Sequence, residues 1–135
     1  MKNKTKYLNK NEAFVFSFSN MDIPGLTNLL NDQYIYENQT KEEMLDDISI
    51  EFEMLKAKGI VYLKPIATKC KCHIDDEGYT FLDEKEGYFF NIILEEIDTK
   101  TLGFKQCVHL DRIINLESRK KLIYLPYGVL DDIPF

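Results

Sequence analysis

Every thiol and every imidazole in this chain falls in one of two short windows, Cys70-Lys71-Cys72-His73 and Cys107-Val108-His109. Thiolate and imidazole are the ligands that zinc prefers, so Cys70, Cys72, Cys107 and His109 form a candidate metal set. Strand alternation works against it. On an extended strand Cys70 and Cys72 share a face with Ile66 and Ile74, while His73 points the other way with Lys69 and Lys71. Cys107 and His109 fall on the face opposite Phe104, Val108 and Leu110. A flat Cys-x-Cys also lacks the tight knuckle of structural zinc sites, so the plainer reading makes Cys70 and Cys72 small buried hydrophobes. The chain contains no phosphate-cradling glycine loop, no nucleophile elbow and no His-Glu-x-x-His helix. No cofactor is expected.

The elements that must position these groups divide at about residue 60. Before it the apolar period is helical. Ala13 to Ser19 follows Asn9 and Asn11 as N-caps and sets Phe14 and Phe18 four apart on one face. Asp22 caps a second helix with Pro24 in its first turn and Leu26, Leu29 and Leu30 on one side. Tyr34-Ile35-Tyr36 has the aromatic and β-branched density of a short strand. Thr40 with Glu43 is a capping box, and Met44, Leu45, Ile48, Phe52 and Leu55 keep one face apolar until Gly59. Acids crowd the start of this helix, and Lys56 and Lys58 its end, as the helix dipole favours.

Beyond Ile60 the period becomes 2, with turns at Asp75 to Gly78, Asp83 to Gly87, Asp98 to Gly103 and Leu116 to Arg119. The pattern predicts an antiparallel meander with strands near 60–74, 79–82 joined loosely to 88–97, 104–115 and 120–126. Pro65 marks a bulge or an edge. The expected class is therefore α+β, three N-terminal helices packed on an antiparallel sheet in one domain of 135 residues.

Composition removes several partners. A net charge of −6 repels phosphate backbones, so nucleic acid is not expected. No apolar run is long enough to span a bilayer. The lysine-rich start is followed by only a brief apolar run, Ala13 to Phe16, which does not make a secretory signal; an odd count of three cysteines favours reduced thiols. A cytoplasmic location is expected. Phe90, Ile92 and Leu94 alternate with Phe89, Asn91 and Ile93, so this strand is apolar on both faces. One face should meet the helices and the other a second copy, which predicts a homodimer through a sheet face.

The order helix, short helix, short strand, long helix, then four antiparallel strands resembles the cone-shaped fold of the nuclear transport factor 2-like superfamily. The run FVFSFSNMDIPGLTNLLNDQYIYEN from Phe14 to Asn38 is similar to that superfamily's opening, and TKEEML follows where its third helix starts. The resemblance implies a curved, cystatin-like cone around a mostly apolar cavity, and a small apolar or amphipathic ligand. Phe14, Phe18, Tyr34, Tyr36, Phe52, Phe90 and Phe104 are then the expected lining, an ordinary aromatic core being the alternative. In enzymes of this kind, which include ketosteroid isomerase and polyketide cyclases, a carboxylate near the end of the first strand abstracts a proton. The matching residue is Glu37, whose burial would raise its pKa toward neutrality. Its recruits would come from Tyr7, Tyr34, Tyr36, Asp111 and His109, for a cofactor-free isomerase, dehydratase or cyclase. Small-molecule binding without catalysis is the leading expectation, and metal binding the third.

Overall fold

The helical half forms where its caps predict. In a computed structural model of the chain, which describes residues 9–36, 38–68, 78–105 and 121–122, α1 spans Lys10–Ser19, α2 Ile23–Leu29 and α3 Lys41–Ala57. The Asn9 side chain accepts from Glu12 N–H at 2.8 Å and starts α1. Asp22 accepts from Gly25 N–H at 3.2 Å and starts α2. Thr40 and Glu43 exchange side-chain and backbone bonds at 3.2 and 2.9 Å, so two otherwise orphaned amides at the start of α3 are satisfied together. Met21, at φ 55°, turns the chain between α1 and α2. Gly25 lets the two helices close up, because a methyl group there would stand 2.5 Å from Ser17 Oγ.

Strands β1 (Lys64–Thr68), β2 (Gly78–Leu82), β3 (Tyr88–Glu96) and β4 (Leu102–Lys105) then follow in spatial order as an antiparallel meander. The turn between β2 and β3 is built by Asp83, whose carboxylate accepts from Lys85 and Glu86 N–H at 3.1 and 2.7 Å, and by Gly87 at φ 87°. Mixed α+β architecture is thus as expected. Three details differ. Residues 60–63 are not strand; Ile60 N–H still bonds to Leu55 O and Leu63 N–H to Ser19 O, which fasten this segment to the helices before β1 begins. Tyr34 to Tyr36 is not a strand of the sheet: Tyr36 makes only an isolated bridge with Gln39. And β5 (Lys121–Leu122) pairs with β3 in parallel, not in the meander's antiparallel sense. Strand β4 covers β3 only from Ile93 to Glu96, which leaves the edge at Tyr88 and Phe89 for β5.

One face of the sheet meets the helices. Phe81, Phe90, Ile92, Leu94, Leu102 and Phe104 pack there with Phe14, Phe18, Phe52 and the apolar face of α3 as one core. The opposite face carries Thr80, Leu82, Phe89, Asn91 and Ile93, and it too is buried in the single chain, Phe89 being 0% and Ile93 1% exposed. The buried Thr80 hydroxyl donates to Asn91 Oδ1 at 2.7 Å, which satisfies the polar pair on that face. The two-sided apolar pattern that predicted a homodimer is therefore covered within one chain. Among the described residues no helix is long and apolar enough to cross a membrane.

Burial also leaves one acid ill at ease. Glu51 on α3 has its carboxyl raised above the ordinary 4.5, first by desolvation and then by the neighbouring Asp47. A raised folded-state value means the folded chain holds this proton more tightly than the unfolded chain. Stability is therefore lost as pH climbs from 4.5 through the folded value. Glu51→Gln is expected to flatten that part of the pH profile, read as urea midpoints at about pH 4 and about pH 7.

Candidate functional site

The segment from Leu30 to Gln39 joins α2 to α3 and runs beside the edge of the sheet. Leu30 bridges to Leu102 of β4, and Asn31 N–H donates to Leu102 O at 2.9 Å. From there the Asn31 side chain organises the turn: its Oδ1 accepts from Gln33 and Tyr34 N–H at 2.8 and 3.0 Å, and its amide donates to Thr101 Oγ1 at 2.9 Å. Thr101 Oγ1 in turn donates to Asp98 Oδ1 at 2.8 Å. Asp98 lies below its ordinary 3.8, held there by the hydrogen bond from the Thr101 side chain and by the backbone amides of Lys100 and Thr101. One continuous set of polar contacts thus ties the loop after α2 to the β3–β4 turn.

Tyr36 and Tyr34 follow. Tyr36 is fully buried and its hydroxyl donates to Asn31 O at 2.9 Å; burial holds that hydroxyl protonated well above the usual tyrosine range. Tyr34 packs edge-on against Tyr36 with ring centroids 4.6 Å apart, and its hydroxyl donates to Glu95 Oε1. Glu95 and Gly103 face each other across the β3–β4 pair, on the side of the sheet away from Phe104. The Tyr34 ring lies over Gly103 so closely that a Cβ there would come within 2.7 Å of it.

Lys41 closes the other side. Its Nζ donates to Thr27 O at 2.7 Å, Leu30 O at 2.8 Å and Asp32 Oδ1 at 2.6 Å, so an α3 side chain satisfies carbonyls at the end of α2. Lys41→Met should cost about 2 kcal/mol in urea unfolding, since two carbonyls lose a charged donor. Asp32→Ala should cost less than about 0.5 kcal/mol, because the Asp32 end of the pair is exposed.

Between these groups lies a groove of about 470 Å³, open to solvent. It is lined by Thr27, Asn28, Leu30, Asn31, Asp32, Gln33, Lys41 and Thr101. Through Leu30 and the Asn31–Tyr36 bond it backs onto the aromatic interior.

Of the expected lining, Phe14, Phe18, Tyr36, Phe52, Phe90 and Phe104 do come together between the helices and the sheet, all at 1% exposure or less. They pack ring on ring: Phe18 lies 5.7 Å from Phe14, 5.1 Å from Phe52, 5.1 Å from Phe90 and 4.4 Å from Phe81 between centroids. Phe104 meets Phe14 at 5.9 Å and Tyr36 at 5.5 Å. Tyr34, only partly buried, packs against this cluster through Tyr36 from the sheet edge. Glu37, the expected base, lies outside the described residues, as do the expected metal ligands Cys70, Cys72, Cys107 and His109. Sequence reasoning missed Lys41, Asn31, Glu95 and Thr101. Lys41 alone carried a signal, a cation in the first turn of a helix where the dipole disfavours one.

Comparison with family models, with curated proteins and with solved structures yields no match for this chain.

Proposed function

We propose that the chain is a small-molecule-binding domain of the nuclear transport factor 2-like kind, acting without catalysis, and that its ligand sits in the groove between the α2–α3 connection and the β3–β4 turn. The observation that carries this reading is the pre-formed character of the groove: Asn31, Thr101 and Lys41 are each held by hydrogen bonds to their neighbours before any ligand arrives. Its volume, about 470 Å³, is in the range of small-molecule sites. The aromatic interior behind it acts as the rigid wall, since its rings already fill one another's faces. In this reading the sheet curls as a cone and the chain is cytoplasmic. Pairing of two copies is the family expectation; with Phe89 and Ile93 already buried in one chain it would use surface other than theirs, and sedimentation checks it.

The test is thermal unfolding of the full chain against a panel of small amphipathic and polar molecules. A ligand at 100 times its Kd adds about 2.7 kcal/mol and raises the midpoint by several degrees. Asn28→Trp, an exposed position on α2 that borders the groove, should fill the space and abolish the shift while leaving the unliganded midpoint close to wild type. A shift that survives Asn28→Trp would place the ligand elsewhere and end this reading.

A further inference from the structure

The chemistry of the groove narrows what it can hold, and here we infer that its ligand is a neutral polyhydroxylated molecule, a mono- or disaccharide or a cyclic polyol. This inference rests on the groove being the binding site. Among the described residues of its lining Leu30 is the one apolar residue, and it is only 1% exposed; the others end in hydroxyl, amide or charged groups. An apolar ligand seated there would strip water from those groups without replacing their hydrogen bonds, and with Leu30 already buried it would gain almost no apolar contact in return. The charged ligands are disfavoured for a separate reason. Lys41 and Asp32 cancel each other at 2.6 Å, and the remaining Lys41 protons are committed to Thr27 O and Leu30 O. A phosphate or carboxylate would find no uncommitted cation among the described residues of the groove, in a chain of net charge −6.

What the groove offers instead is a mixture of hydrogen-bond donors and acceptors. Asn28 and Gln33 are exposed, and each carboxamide presents both an NH₂ and a carbonyl oxygen toward solvent. Asp32, 80% exposed at its side chain, keeps acceptor capacity beyond the Lys41 bond. A ring of hydroxyls, each at once donor and acceptor, is the ligand chemistry that matches such a lining on both counts. The volume of about 470 Å³ accommodates one or two such rings.

Saturation-transfer NMR on the full chain tests this with glucose, maltose, sucrose and myo-inositol in one arm, and cholate and laurate in the other. The expected result is transfer to the ring protons of at least one sugar or inositol, lost by tenfold or more in affinity in the double variant Asn28→Ala/Gln33→Ala. Both positions are exposed, so the variant should unfold at the wild-type midpoint. Binding of cholate or laurate with none of the polyols would overturn the ligand class and leave the groove as the site. Polyol binding untouched by the double variant would overturn the inference too, since the contacts would lie elsewhere. No transfer in either arm would remove this inference and the binding role together.

Discussion

Phe18→Ala should destabilise the chain by about 3–5 kcal/mol, a large share of the 5–15 kcal/mol available to a domain of ordinary stability. Phe18 is fully buried and its ring is shared: it stacks on Phe14 from its own helix, meets Phe52 of α3 edge-on, and lies against Phe81 and Phe90 of the sheet. Removing it leaves a void bounded by four rings whose backbones belong to α1, α3, β2 and β3. Collapse of the hole would require moving elements that are each fixed by other contacts, so the cavity penalty should be near its upper range. Phe16, two residues earlier and 51% exposed, is the control, and Phe16→Ala should change stability by less than about 1 kcal/mol. Urea unfolding of the two variants decides the matter. If Phe18→Ala cost no more than Phe16→Ala, the ring cluster would not be the keystone between helices and sheet.

Gly103→Ala should cost about 1–3 kcal/mol, and the loss should depend on Tyr34. The added methyl would stand 2.7 Å from the Tyr34 ring, inside any allowed approach. Tyr34 can yield only by giving up its edge-on contact with Tyr36 and its hydrogen bond to Glu95. A double-mutant cycle separates this from backbone effects. In a Tyr34→Ala background the same Gly103→Ala change should be close to neutral, with the difference appearing as a coupling energy. A penalty that persisted without the tyrosine ring would show that Gly103 is needed for some other reason.

What could be read in advance was what depends on neighbours in sequence. The Thr40–Glu43 capping box, the Asp22 cap with Pro24 behind it, and the Asp83 to Gly87 turn are local devices whose residues lie two to four apart, and each forms as expected. The aromatic residues were recognised and do converge, because helical and strand periods alone put Phe14, Phe18, Phe52, Phe90 and Phe104 on inward faces. The groove was not legible, since it arises from partners distant along the chain: Asn31 with Thr101, Tyr34 with Glu95, Lys41 with the end of α2. Tyr34 to Tyr36 looked like strand because β propensity reports packing of bulky side chains against a surface. Tyr34 and Tyr36 do pack against the sheet while Ile35 is exposed, but the Tyr34 amide bonds to the Asn31 side chain and the Tyr36 backbone to Gln39, not to a ladder. The parallel pairing of Lys121 and Leu122 with the start of β3 has no local signature at all.

Strand β3 has β2 along one edge and β5 and β4 at the two ends of the other, and its side chains from Phe89 to Leu94 are buried on both faces. The amides of the doubly paired residues Phe89 and Ile93 in this stretch therefore have no local route to solvent, and deuterium should reach them only when the whole domain opens. In a native-state exchange experiment this stretch would mark the last-opening unit of the molecule, and its slowest rates would report the global free energy of unfolding without any denaturant.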